Sequence, residues 1–293
     1  MKHLDDLFHW VGERERIRRQ KDSGAQRPWT DDPILHAYRF CNVERERDTV
    51  TQWIHHNWLL PNYGDPTVVL GMTIARMVNL PETLEELGFP HEGWTTKYVR
   101  RFLDTFDKRR NEGKKSWTSA YMITGGYSEG GEPKEVIIAR VIDRCNGKLH
   151  ENWIRQGDTL AEAADKIKSP GIGDFLSGQI IADLKHSKLL ADASDWWEWC
   201  AVGPGSTVGL NFIHGREHKK SISQPQFRKE VNEIRNILRD GGVYLDAQNT
   251  QNVLCELHKY IRTKYYGGRP KSRYTPAVAL PAISPATAPE KSL

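Results

Sequence analysis

Apolar residues recur along most of the chain at helical rather than alternating spacing, so the elements they predict are helices. Leu4, Leu7, Phe8 and Val11 mark one side of a helix over residues 7–23, with Gly24 just past its end. Pro33 stands where the first turn of a second helix belongs, with Thr30 or Asp31 as its cap. That helix is expected to carry Tyr38, Phe40 and Val43 and to run on to Trp53, which places Asn42, Arg45 and Asp48 on one face. Residues 67–78 are the most apolar stretch and are expected in the core, followed by helices over 81–87, 95–109 and 114–124. A glycine-rich loop at 125–133 reads as a lid or a tolerated insertion. Residues 134–144 fit either strand or helix, and their helical neighbours favour helix. Residues 149–165, 225–239 and 247–263 read as further helices. The expected fold class is all-α: a helical domain over 1–266, with room for two lobes, and a basic, then Pro/Ala-rich tail over 267–293 read as disordered.

Composition narrows the class. Of the 293 residues 38% are apolar and 27% charged, and no apolar run approaches the ~20 residues of a membrane span, so no membrane partner is expected. The first ten residues carry no apolar signal core, which points to a cytoplasmic setting. Cys41, Cys145, Cys200 and Cys255 are far apart and form no CxxC pair, which suits free thiols in a reducing compartment and no metal site. The net charge of +4 is a mild basic bias, while ten tryptophans and ten tyrosines are a heavy aromatic load that includes candidate platforms for unstacked bases.

One turn stands out. Ser169-Pro170-Gly171-Ile172-Gly173 separates a polar helix from an apolar one, and its two glycines permit a tight reversal whose N–H groups face outward. The positive end of the next helix falls at the same place, as in a helix-hairpin-helix that grips a nucleic-acid backbone without reading bases. A tight turn in any all-α protein uses the same residues, so both readings stand on this stretch alone.

Asp192 and Asp195 lie about twenty residues beyond Gly173, a spacing that resembles the helix-hairpin-helix base-excision glycosylases and their essential aspartate. The lysine that bifunctional members carry two residues after the second glycine is Phe175 here, which argues against lyase chemistry; the cysteine cluster of iron–sulfur relatives is also missing. A closer resemblance joins Arg16-Ile17, Gly24, Pro28 to Leu35, Phe40-Cys41-Asn42-Val43, Arg45 and Asp48 to Ala120-Tyr121, Gly203-Pro204-Gly205, Gly209-Leu210-Asn211 and Cys255 to Tyr260. Together these resemble the glycosylase-related family of bacteriophage thymidine hypermodification. That family covers the helical domain of 5-hydroxymethyluracil DNA kinases and the α-glutamyl/putrescinyl-thymine pyrophosphorylases, or amino acid:DNA transferases.

The resemblance implies a phage- or prophage-encoded protein acting on double-stranded DNA in the bacterial host. An upstream kinase pyrophosphorylates the hydroxymethyl base, and an amine or amino acid then displaces pyrophosphate. No GxxxxGK[ST] loop occurs in the chain, which favours the transferase or a helical module over the kinase. Such chemistry needs cations for the leaving group, a base for the amine and a pocket for an extruded nucleotide. Arg16, Arg19, Lys21 and Arg45 are candidates for the first need, Asp195 or Asp48 for the second, and Trp29, Trp196 or Tyr38 for the third. Asp32, Asn42 and Lys259 complete the expected substrate contacts, and Ser169, Gly171, Gly173, Gly203 and Gly205 the expected DNA contacts. No cofactor is visible; Mg²⁺ carried by the substrate pyrophosphate would leave little trace. A monofunctional glycosylase using Asp195 and a non-catalytic DNA-binding module are the competing readings.

Overall fold

The computed structural model describes residues 1–118, 131–149, 153–270 and 273–274. These residues form helices α1 (Leu4–Asp22), α2 (Pro33–Ala37), α3 (Thr49–Ile54), α4 (Val68–Val78), α5 (Pro81–Leu87) and α6 (Thr96–Asn111), then α7 (Lys134–Cys145), α8 (Leu160–Ile167), α9 (Asp174–Leu184), α10 (Pro204–Ile213), α11 (Gln224–Asp240) and α12 (Ala247–Tyr266). Among the described residues the extended pairings are two isolated bridges, so the all-α expectation holds. The loop expected at 125–133 falls largely outside the described residues, as does most of the tail expected from 267 onward.

Two hydrophobic cores organise the helices. A central core gathers residues of the stretch 54–199, including Leu70, Met72, Phe102, Ile138, Ile181 and Trp199. A terminal core joins the two ends of the chain, with Leu7, Trp10, Phe40 and Val43 against Cys200, Leu210, Phe227, Leu254 and Tyr260. The chain therefore leaves the terminal core near residue 43, builds the central one, and returns at Cys200.

The expected single helix over residues 33–53 does not form. α2 stops at Ala37, and Tyr38 is extended at φ −120°, ψ 152°. Asn42 and Asp48 then close a loop on each other: Asn42 N–H donates to the Asp48 carboxylate at 2.8 Å, and the Asn42 amide donates to the Arg47 carbonyl at 2.7 Å. Local bonding by Asn and Asp side chains competes with the helical ladder, and here it wins while Phe40 and Val43 turn into the terminal core. The cap of α2 is Asp32, not Thr30 or Asp31: its carboxylate accepts from Ile34 N at 2.8 Å and Leu35 N at 3.0 Å, with Pro33 next in line.

Three other boundaries shift. Residues 114–118 run without helix, with Trp117 stacked on Phe106 at 4.2 Å between ring centres, and 119–124 lie outside the described residues. Among the described residues of 149–165 the α-helix begins at Leu160, where Thr159 and Glu162 form a reciprocal capping box. α10 was not anticipated. Its Gly205 and Gly209 lie against α12, and a side chain at Gly209 would come within 2.2 Å of the Leu254 carbonyl oxygen.

Candidate functional site

Between the two cores runs a polar seam, and Arg45 occupies it. Its backbone N–H donates to the Asn249 side chain on α12 at 2.8 Å, while its guanidinium reaches across to α9, 3.2 Å from Gln179 Oε1 and 3.4 Å from Asp183 Oδ1. Asp183 is wholly buried and also takes two bonds from Arg76 on α4, at 2.5 and 2.6 Å, and one from His55 Nε2 at 3.0 Å. Burial alone would raise the Asp183 pKa; the charges of Arg76 and Arg45 and the bonds from Arg76 and His55 overcome it and hold the group well below the usual carboxylate range.

A second buried pair lies alongside. Lys185 donates to Asp246, the cap of α12, at 2.6 Å, and stacks its ammonium 4.0 Å from the centre of Trp196. Glu46 closes the group, accepting from Asn249 at 2.9 Å and lying 3.5 Å from His186. The seam thus sets Arg45, Arg76 and Lys185 against Asp183, Asp246 and Glu46, a neutral balance, with the His55 and His186 rings 5.3 Å apart beside it.

Asn42 and Asp48 sit on the other side of Arg45, facing α1 and α12. Arg14 donates to the Cys41 carbonyl at 2.9 Å and to Asn42 Oδ1 at 2.7 Å. Glu256 accepts from Cys41 N–H at 3.1 Å and from Lys259. Burial, followed by the charge of Glu256, raises the Asp48 pKa above its ordinary value even though Asn42 N–H, Arg45 and Arg14 pull it down. A half-buried carboxylate with raised proton affinity, under the influence of two guanidinium charges, is a better proton acceptor than an ordinary surface aspartate.

The other expected site residues fall elsewhere. Both oxygens of Asp195 accept from the first turn of α8, from Leu160 N at 2.6 Å and Ala161 N at 3.1 Å, so this carboxylate serves as a helix cap from a distant loop. Asp32 is saturated by Ile34, Leu35, His9 and Tyr260. Arg16 pairs with Glu13 and Arg19 with Glu15 on the exposed side of α1, and Lys21 is exposed near its end. Trp29 donates to the Ala25 carbonyl, and Trp196 to the Lys185 carbonyl beside the seam.

Gly203 is the N-cap of α10, and Gly205 faces Cys255 in the α10–α12 contact, where a side chain would come within 2.5 Å of its sulfur; helix packing accounts for both glycines. The Ser169–Gly173 turn reverses the chain tightly as expected, but two of its N–H groups do not face outward: Ser169 and Ile172 exchange backbone bonds at 3.2 and 2.8 Å, while Gly171 takes φ +99° against Val141. Its charge is another matter, because Asp174 occupies the first turn of α9 and, with Asp165, pairs with Lys168. The Ser169 hydroxyl oxygen is buried with no partner among the described residues.

Residues 1–268 match the family described as "5-hmdU DNA kinase, helical domain". The chain belongs to that family. A curated relative, the 5-hmdU DNA kinase of Bacillus phage SP10, is 27% identical over an alignment covering 92% of this chain and 48% of the relative. The chain spans about half the length of the curated relative it matches. No solved structure matches it.

In this member of the 5-hmdU DNA kinase helical-domain family, sequence reasoning singled out Arg45, Asp48 and Asn42 but missed Arg14, Arg76, Asp183 and the two histidines. Arg14 had a signal: it continues the spacing of the buried Leu7, Trp10 and Val11 along α1. Among the described residues no group of three or more His, Cys, Asp or Glu is placed to hold a metal ion.

Proposed function

We propose that the chain acts in thymidine hypermodification, as an amine or amino acid:DNA transferase that displaces pyrophosphate from a pyrophosphorylated 5-hydroxymethyluracil base. The observation that carries this reading is Asp48, a half-buried carboxylate with raised proton affinity held by Asn42 N–H, in the field of the Arg45 and Arg14 charges on and beside the segment that joins the two cores. In the reaction, the C–O bond between the methylene and the pyrophosphate breaks, and a C–N bond to the amine forms. Inorganic pyrophosphate leaves beside the guanidinium groups, and Asp48 takes the proton released by the amine. The base is extruded from the duplex towards the Asn42–Asp48 loop, and the helix-hairpin-helix turn at 169–173 lies against the strand.

Its partners in this reading are DNA bearing the modified thymine, the amine, and the base kinase that acts upstream. The setting is the cytoplasm of an infected bacterium; no described helix is long and apolar enough to cross a membrane. The glycosylase alternative loses support because Asp195 is committed to the α8 N-terminus. The test is incubation with DNA carrying the pyrophosphorylated base and a panel of amines, followed by digestion to nucleosides and mass analysis. A new amine-bearing nucleoside with equimolar pyrophosphate is expected; pyrophosphate retained on the base with every amine would sink the proposal.

A further inference from the structure

A concavity of about 400 Å³ lies where the last described residues return to the fold, lined by Arg27, His36, Ala37, Tyr38, Arg273 and Tyr274. Its shape follows from the end of α2. Tyr38 is extended there and bridges antiparallel to Arg273, and Tyr274 N–H donates to the Ala37 carbonyl at 3.1 Å. The Arg27 guanidinium lies 4.2 Å from the centre of the Tyr274 ring and 5.1 Å from that of Trp29, and those two rings meet edge-on at 6.2 Å. The volume is within the roughly 300–1,000 Å³ typical of small-ligand sites.

Charge distinguishes this place from the other cationic surfaces. On the helices, Arg16, Arg18, Arg19 and Arg110 each face a carboxylate a turn away. Among the described residues no carboxylate pairs with Arg27, His36 or Arg273, and none lines the concavity. Asp32, the nearby acid on α2, is taken by its cap bonds, His9 and Tyr260. Two guanidinium groups and an imidazole without an anion, set among tyrosine rings, match a phosphodiester with an exposed base face. A duplex hides its base faces, so the ring contacts have use only with an unstacked strand.

We infer that this concavity binds single-stranded DNA, with a backbone phosphate on Arg27 and Arg273 and the adjoining base against Tyr38 and Tyr274. The choice of DNA among polyanions rests on the function proposed above; the readout is binding, so loss of transfer and loss of this site are separable. The experiment is fluorescence anisotropy of a labelled oligothymidylate, across a salt series, with the full chain and three variants. Arg27→Ala/Arg273→Ala is expected to lower the slope of log affinity against log salt by roughly 0.7, the value for one phosphate, and Arg27→Lys/Arg273→Lys to preserve that slope. Tyr274→Ala is expected to weaken binding about tenfold with an unchanged melting temperature. Unchanged affinity and slope in the alanine pair would overturn the inference, as would displacement of the oligonucleotide by thymidine monophosphate at equal concentration. Absence of DNA binding by the unsubstituted chain would overturn it together with the proposed function.

Discussion

Arg76 and Asp183 stand 107 positions apart in the chain, yet two nitrogens of the guanidinium bond the two oxygens of a carboxylate that no solvent reaches. Replacing one partner of such a pair leaves the other charge buried and uncompensated, which costs far more than the pair contributes. Asp183→Asn leaves Arg76, Arg45 and His55 facing a neutral amide, and a loss of about 3–5 kcal/mol in urea unfolding is expected. A midpoint within error of the unsubstituted protein would show that the seam tolerates unpaired cations.

Asp195 gives a prediction of the opposite kind. As a cap for α8 it is worth ~0.5–2 kcal/mol, so Asp195→Ala should lower stability by that amount and leave modification of DNA intact below the melting point. Abolished modification at unchanged stability would restore this residue to the chemistry.

For Asp48 the expectation reverses. Asp48→Asn keeps an acceptor for Asn42 N–H, so thermal unfolding should change little. In the proposed reaction the rate of amine transfer should then fall by roughly 10²–10⁴, as for loss of a general base. An unaltered rate would remove Asp48 from the mechanism.

His258 sets a pH window. Burial, then the charges of Arg262, Lys259 and His218, press its pKa down to about 4. Its unfolded form takes up a proton near pH 6.5, so between about 4 and 6.5 the unfolded chain binds more protons than the native one. Stability from this group is complete above the upper limit and is lost as pH falls through the window. After allowance for partial exposure the loss is on the order of 1–2 kcal/mol. Denaturant titrations of His258→Gln across this range should show a shallower decline than the parent.

Two glycines in helices should respond in opposite directions. At Gly209 a methyl group meets the Leu254 backbone at 2.2 Å, so Gly209→Ala should force α10 from α12 and cost about 1–3 kcal/mol or more. Gly12, inside α1, has nothing within 4 Å, and Gly12→Ala should stabilise by about 0.5–1 kcal/mol. Calorimetry of the two variants checks both signs.

Legibility in the sequence followed the range of the interactions. α4 was readable because all eleven of its positions are buried, and its apolar run says so directly. The same run concealed Arg76, whose reason for being buried lies on α9. Asn42, Arg45 and Asp48 were identified through their three-residue spacing, but as a helix face. That spacing equally describes a loop closed by an Asn and an Asp, and only the burial of Phe40 and Val43 decides between them. Asp195 was found by counting from the hairpin, while its partners lie about 35 positions upstream, where the pattern had placed the middle of a helix. The tight reversal at 169–173 was legible from its glycines, but the bonds that spend the Ser169 and Ile172 N–H groups within the turn were not, and the acid beside it, Asp174, was in plain view.

The division of the terminal core between the two ends of the chain governs the order of assembly. During synthesis the central core can close as soon as residues 54–199 have emerged, because all its members lie within that stretch. The apolar face of α1, with Leu7, Trp10 and Val11, can meet Phe40 and Val43 early, but most of its core is absent until α10 to α12 are made, some two hundred residues later. Closing so long a loop is slow, and through that interval the nascent chain carries an exposed amphipathic helix. A folding helper, a neighbouring ribosome's product or a binding partner would meet α1 first, and any continuation of the polypeptide from either end would attach to the core that forms last.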